Sequence, residues 1–396
     1  MGFLTQFDAF HDMAAKATGL SDFGSDDYRE PMRLLLSDYD EYMHFNDFGV
    51  QMITGEIVGR LVGRLMTEQG HKSNSSNPSN PALANAPITR PLVVIGMART
   101  GTTALQRLLS QDPAVQSLPM WLGCTPMPRP PRDTWAANPC FQQVAQGLEQ
   151  MYALSPEIRS IHPMEADQPD ECRFALNHSF WAPDCSTTAI VPAYANWVFN
   201  GDARYAYRYY RRALNVIGSG DTRRWLLKDV CHLFNLDAFL DVFPDACVVF
   251  THRDPIISLT SVTSLVYLLR QLREKKVDPM AHGQLMLDTW ARAMGRAETL
   301  RRKYDQARFV DVHNDEFHGD PIGTVERIYR HFSLPVSDAA RAAWNARVQA
   351  DPNSGHGKHH YKPEDFGITR QKVDDAVGEY QTRYQSVVQE MNTRRG

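Results

Sequence analysis

Hydrophobic and polar positions in this chain follow two different periods. Near the front, Leu34, Leu35, Leu36, Tyr39 and Tyr42 share one helical face, and Val50, Ile53, Ile57 and Leu61 share another, so residues 27–68 read as helices. Residues 71–90 are rich in Ser, Asn and Pro and read as a linker. The period then changes. A short apolar run at 92–95 predicts a buried strand, and a helix opens at Thr102 and continues through Ala104, Leu105, Leu108 and Leu109. Residues 225–228 predict a second strand, 234–243 an amphipathic helix, and 247–252 a third strand leading into a helix that carries Ser258 and Ser261. Later elements are a helix over 281–303, a strand over 309–313 and helices over 321–332 and 370–391.

Strands that alternate with helices predict an α/β fold, a P-loop-like parallel sheet flanked by helices. We divide the chain into a helical N-terminal extension with its linker, 1–88, and an α/β domain, 89–396. A mainly helical, aromatic-rich insertion spans about 141–220, with Phe174, Phe180, Trp181, Tyr194, Trp197, Phe199, Tyr205, Tyr207, Tyr209 and Tyr210. Its aromatics suit a pocket for a large apolar or aromatic alcohol, or plain core packing. Pro126 to Arg132 is too proline-rich for a regular element.

The first strand runs into Gly96-Met97-Ala98-Arg99-Thr100-Gly101-Thr102-Thr103. Strand, glycine loop and helix N-terminus form an anion site, because free N–H groups and the positive end of the helix dipole converge there. Glycines at 96 and 101 allow close backbone approach. The loop departs from the nucleoside-triphosphate motif, which needs Lys where this chain has Thr102; its cation is Arg99, inside the loop.

Composition narrows the classes. A net charge of −4 argues against nonspecific nucleic-acid binding. No run of about 18 apolar residues is evident, so no integral membrane segment is expected. The first 16 residues lack the apolar stretch of a secretory signal. Six cysteines without ligand-like spacing suit a reducing cytoplasm, and no metal site is expected. Cys231 and Cys247 fall in apolar surroundings and read as core residues.

The first loop together with the segment from Arg253 to Ser261 resembles the paired signatures of sulfotransferases that use 3′-phosphoadenosine-5′-phosphosulfate (PAPS), in particular their bacterial, often actinobacterial, branch. The likeness covers about residues 90–390 and includes 310–336 and the C-terminal stretch with Gly357-Lys358-His359-His360-Tyr361. It implies PAPS as co-substrate, with Arg99, Thr100, Gly101, Thr102 and Thr103 on the 5′-phosphate. It further implies Arg253 and Ser261, eight positions apart, on the 3′-phosphate, and Lys358 on a basic loop that closes over it. Lys228 matches the Lys that relatives place near the transferred group. Several relatives carry a Glu base after the first motif's helix, whereas the comparable stretch 118–122 has no carboxylate here.

Sulfuryl transfer needs a base for the acceptor, cations for the developing charge, and an in-line arrangement. For the base, His232 leads because imidazole titrates near neutrality; Glu171 and then Glu165, from the acidic cluster 162–171, follow. The expected activity is transfer from PAPS to a hydroxyl of a small apolar, aromatic or lipid-like acceptor, an alcohol or phenol. The alternatives are a P-loop-type small-molecule kinase, for which Asp229 is the only nearby metal-binding carboxylate, and a catalytically silent nucleotide-binding protein. The weakly amphipathic helix 370–391 could cover the core or a homo-oligomer contact.

Overall fold

A computed structural model describes residues 2–77, 81–350 and 362–395. The chain forms two compact units, each assembled from separate stretches of sequence. The first contains Met1–Ile88, Leu118–Thr222 and Leu268–Val277; the second contains Thr89–Ser117, Arg223–Tyr267 and Asp278–Gly396.

The second unit is built on a parallel sheet of β1 (Leu92–Gly96), β2 (Val115–Ser117), β3 (Arg224–Lys228), β4 (Cys247–His252) and β5 (Phe309–His313). Their order is β2-β3-β1-β4-β5, and every pair is parallel. Register aligns Val94 with Lys228 on one side of β1 and Gly96 with Thr251 on the other. Both faces are covered by helices, so the strands read as continuous apolar runs, and β1 is buried at every position. One face packs Leu92, Val94, Val249, Val310 and Val312 against Leu105, Leu108 and Leu109 of the helix Thr102–Leu109, with Ile328, Tyr329 and Trp344 beyond. Each such side chain contributes about 1.5–3 kcal/mol by leaving water. Inside this core the Tyr329 hydroxyl donates to Asp112 Oδ2 at 2.7 Å.

The strands expected at 225–228, 247–252 and 309–313 are observed within one residue. The three-residue edge strand β2 was not visible in the sequence, being too short to show a period. The helix expected over 370–391 is two, Arg370–Val377 and Glu379–Arg395, broken where Gly378 takes a φ of 51°.

The first unit is helical. Helices Phe7–Thr18, Arg29–Tyr42 and Asp47–Ser75 form its front part, and Arg204–Ile217 packs on the third of them. The expected linker at 71–90 is corrected: its first five residues complete the helix Asp47–Ser75, and Pro81–Asn85 forms a short 3-10 turn. Ile53, Ile57 and Leu61 are buried as their spacing predicts, but Val50 is exposed. Burial of Arg64 organises this unit: its guanidinium lies over the rings of Tyr28 and Tyr209 at 4.0 and 4.8 Å and donates to the Phe23 and Ser25 carbonyls at 2.6 Å.

Phe180, Trp181, Tyr194, Tyr207 and Tyr210 of the aromatic insertion are all buried, with Trp181 tilted against Tyr207 at 5.2 Å. For these residues core packing, not an open pocket, is the observed role. The helix Pro255–Arg273 is long and apolar enough to cross a membrane by length and composition, although 56% of that window is buried inside the protein. Its first turns follow β4 directly, and Leu259 is core, so we read it as an interior helix.

Candidate active site

The site lies at the C-terminal ends of β1, β3, β4 and β5, all in the second unit, where an open parallel sheet places its ligands. Gly96 ends β1 with a φ of 151°. A Cβ there would sit 2.3 Å from Thr251 Oγ1 and 2.6 Å from the Thr251 carbonyl oxygen, so only glycine fits. Thr251 Oγ1 and Thr100 Oγ1 are 2.6 Å apart and lie 3.2 and 2.7 Å from the Ile95 and Met97 carbonyl oxygens, so their two protons serve two of these three contacts at a time. These bonds fold the loop over the end of β4. Gly101, at φ 92°, caps the helix Thr102–Leu109 without a side-chain hydrogen bond, which leaves the first-turn amides to an outside acceptor. Thr100 and Thr102 are buried, while Gly101 and Thr103 retain partial exposure.

Arg99 adopts a φ of 69°, an unfavourable backbone region for a side-chain-bearing residue. Its Nε donates to Ser261 Oγ at 3.1 Å. Arg253 Nη1 donates to the Arg99 carbonyl at 3.3 Å. Burial and then the neighbouring Arg253 charge push the Arg99 guanidinium below its ordinary pKa. Among the described residues neither Arg99 nor Arg253 forms an ion pair. Two like charges held together, neither in an ion pair, make a favourable place for an anion. The donor set therefore fits a phosphorylated ligand: the loop amides with Arg99 on one side, Arg253 and Ser261 on the other.

Lys228 ends β3 beside Val94 and is fully buried. The next residue, Asp229, donates its amide to the Val94 carbonyl at 3.2 Å and accepts from the Cys231 amide at 2.8 Å. This carboxylate, the one available to the kinase alternative, is thus engaged in capping the turn Val230–Leu233. His232 sits within that turn, fully buried, its ring stacked on Phe239 at 4.5 Å.

Glu171 and Glu165 belong to the first unit. Glu171 is buried and paired with Arg173 at 3.0 Å, whereas Glu165 is exposed. Lys358 lies outside the described residues. Among those described, no group of three or more His, Cys, Asp or Glu side chains is arranged to hold a metal ion.

Two residues at the site carried no sequence signal. Asn314, directly after β5, donates from Nδ2 to the Thr100 carbonyl at 3.4 Å, and the same Nδ2 is 2.7 Å from where a Gly101 Cβ would be. His318, four residues on, feels the Arg253 charge: burial first, then Arg253, lowers its pKa. Both lie more than 200 residues from the first loop, and only the pairing of β4 with β5 brings them near.

The fold is an α/β parallel sheet with a glycine loop and a cluster of cationic side chains at its C-terminal edge, and comparison with known proteins gives the family. The Sulfotransferase family profile matches residues 91–338, and the chain belongs to that family. The solved structure of sulfotransferase STF1 from Mycobacterium tuberculosis H37Rv is 38% identical, with 94% of this chain and 98% of that one covered at a TM-score of 0.84. Sulfotransferase STF9 from Mycobacterium avium is 28% identical, with 95% and 96% covered at a TM-score of 0.85. A curated relative from Mycobacterium bovis, omega-hydroxy-beta-dihydromenaquinone-9 sulfotransferase Stf3, is 27% identical over 129 residues, 32% of this chain and 30% of that protein. The match thus spans less than a third of that curated relative.

Proposed function

We propose that this sulfotransferase takes its sulfuryl group from PAPS and delivers it to a hydroxyl of a lipid-like or phenolic acceptor. The observation that carries the donor is the pair Arg99 and Arg253, which meet at the end of the anion loop with no carboxylate partner among the described residues. A donor with phosphates at both 5′ and 3′ positions suits a site with two clusters of anion-binding groups. The lipid-like acceptor is supported by the 27% identity to a relative whose name specifies a hydroxylated menaquinone.

When bound, PAPS supplies the sulfuryl group on a phosphate leaving group. In our reading the amides and hydroxyls of Thr100, Thr102 and Thr103, with Gly101 and Arg99, hold the 5′-phosphate, while Arg253 and Ser261 hold the 3′-phosphate. Lys228 stabilises negative charge on the leaving oxygen. His232, four residues later, takes the acceptor's proton, with Glu171 and then Glu165 as the competing bases. Buried positions at strand ends suit the first two roles, since charge interactions strengthen as water is excluded. All six cysteines are free thiols, consistent with action in a reducing cytoplasm.

Isothermal calorimetry tests this reading. Adenosine 3′,5′-bisphosphate should bind in the micromolar range and more tightly than ADP or ATP with Mg²⁺. Preference for ATP would transfer the site to phosphoryl chemistry, and no nucleotide binding would remove the donor assignment.

A further inference from the structure

The residues on either side of Arg253 are both held by the C-terminal helices. Ahead of it, His252 Nδ1 is 2.9 Å from the Tyr380 hydroxyl, and its Nε2 is 2.7 Å from Asp311 Oδ1. Asp311 in turn accepts both arms of Arg301, at 2.6 and 2.8 Å. Behind it, Asp254 accepts both arms of Arg370, each at 2.7 Å. Asp254 Oδ1 also accepts the Ile256 amide at 3.2 Å, at the start of the helix Pro255–Arg273. Both carboxylate oxygens are therefore committed.

This arrangement answers an electrostatic problem posed by the sequence. Arg253 is the cation of an anion site, yet a carboxylate follows it directly. A free Asp254 would compete with an incoming phosphate for the same guanidinium and would repel the phosphate. We propose that Arg370 is a positioning residue for the 3′-phosphate site: by occupying Asp254 in a two-armed pair, it leaves the Arg253 charge available to the ligand. The proposal rests on the reading that Arg253 binds the 3′-phosphate. In agreement, Asp254 is held below the usual carboxylate range: burial alone would raise it, but the Arg370 hydrogen bonds and charge outweigh burial, and Arg253 adds to them. Arg370 is half exposed, so its replacement leaves the core intact.

The test is calorimetry on the full chain with two probes, adenosine 3′,5′-bisphosphate and adenosine 5′-monophosphate, which differ only in the 3′-phosphate. Arg370→Met should weaken the bisphosphate about three- to fivefold, the upper range of a half-exposed ion pair, and leave the monophosphate unchanged. Adding Asp254→Asn to Arg370→Met should restore bisphosphate affinity, because the competing charge is gone while an amide still caps the helix. Asp254→Asn alone should stay within about twofold of the parent. Equal weakening of both probes, or a double variant no better than Arg370→Met, would mean that Arg370 merely braces the loop and would overturn the proposal. No change in Arg370→Met overturns it as well. If the parent protein itself shows no preference for the bisphosphate, the 3′-phosphate reading of Arg253 falls, and the proposal with it.

Discussion

Arg99 Nε donates to Ser261 Oγ at 3.1 Å, joining two segments that lie 162 residues apart. The bond links the loop after β1 to the helix after β4, so the two halves of the proposed anion site are joined by a hydrogen bond. It also holds Arg99 in the left-handed backbone conformation that its side chain disfavours. Ser261→Ala should therefore act twice, removing a donor to the 3′-phosphate and loosening Arg99. We expect adenosine 3′,5′-bisphosphate to bind about tenfold more weakly, with adenosine 5′-monophosphate losing a smaller share. Titration calorimetry with both nucleotides measures the split, and unchanged binding of both would place Ser261 outside the site.

The roles proposed for Lys228 and His232 separate binding from chemistry. His232→Ala should lower turnover by about 10²–10⁴ while bisphosphate affinity holds. Lys228→Met should lower turnover at saturating donor more than it raises the donor KM, because its proposed contact is with charge that develops during transfer. Steady-state rates with labelled PAPS and a hydroxylated lipid or phenol give both parameters. Full turnover in His232→Ala would move the base to Glu171, and Glu171→Gln would then carry the loss.

Stability in the first unit should depend on pH through His178. Its ring is buried against Gly63, where an added Cβ would sit 2.3 Å from Cε1, and its Nδ1 has no hydrogen-bond partner among the described residues. Burial first, then the charges of Arg60 and Arg64, lowers its pKa from 6.5 to about 3. Between those values the unfolded chain binds the proton and the folded chain does not, so folding weakens as pH falls below about 6.5 and is indifferent to this group above it. The slope from one such group is at most about 1.4 kcal/mol per pH unit. Urea unfolding at pH 7.5 and 5.5 should show the loss, and His178→Gln should flatten it. A slope unchanged by that substitution would assign the acid sensitivity elsewhere.

Much of the second unit was legible because its signals are local. A parallel strand buried on both faces is a run of apolar residues, as at 92–95 and 247–252, and a loop that must approach an anion needs glycine where Gly96 and Gly101 stand. The front helices were legible from their period, but the end of the third was not, because Ser and Asn near residue 75 read as linker while the helix continues. The aromatic insertion left two readings open for a related reason: composition cannot distinguish a ring that lines a pocket from one packed against a neighbour, and Trp181 and Tyr207 are packed.

The sequence by itself determined the main elements and the glycine loop after β1, since each depends on residues close together in the chain, while the pairing of that loop with Arg253 and Ser261 was implied by the family resemblance. Tertiary structure alone decided which groups stand around them. Asn314 reaches Thr100, Arg370 takes Asp254, and Tyr380 meets His252 across separations of 214, 116 and 128 residues. Such contacts leave no periodic trace, because strand order and helix docking bring them together, and these follow from burying apolar faces collectively.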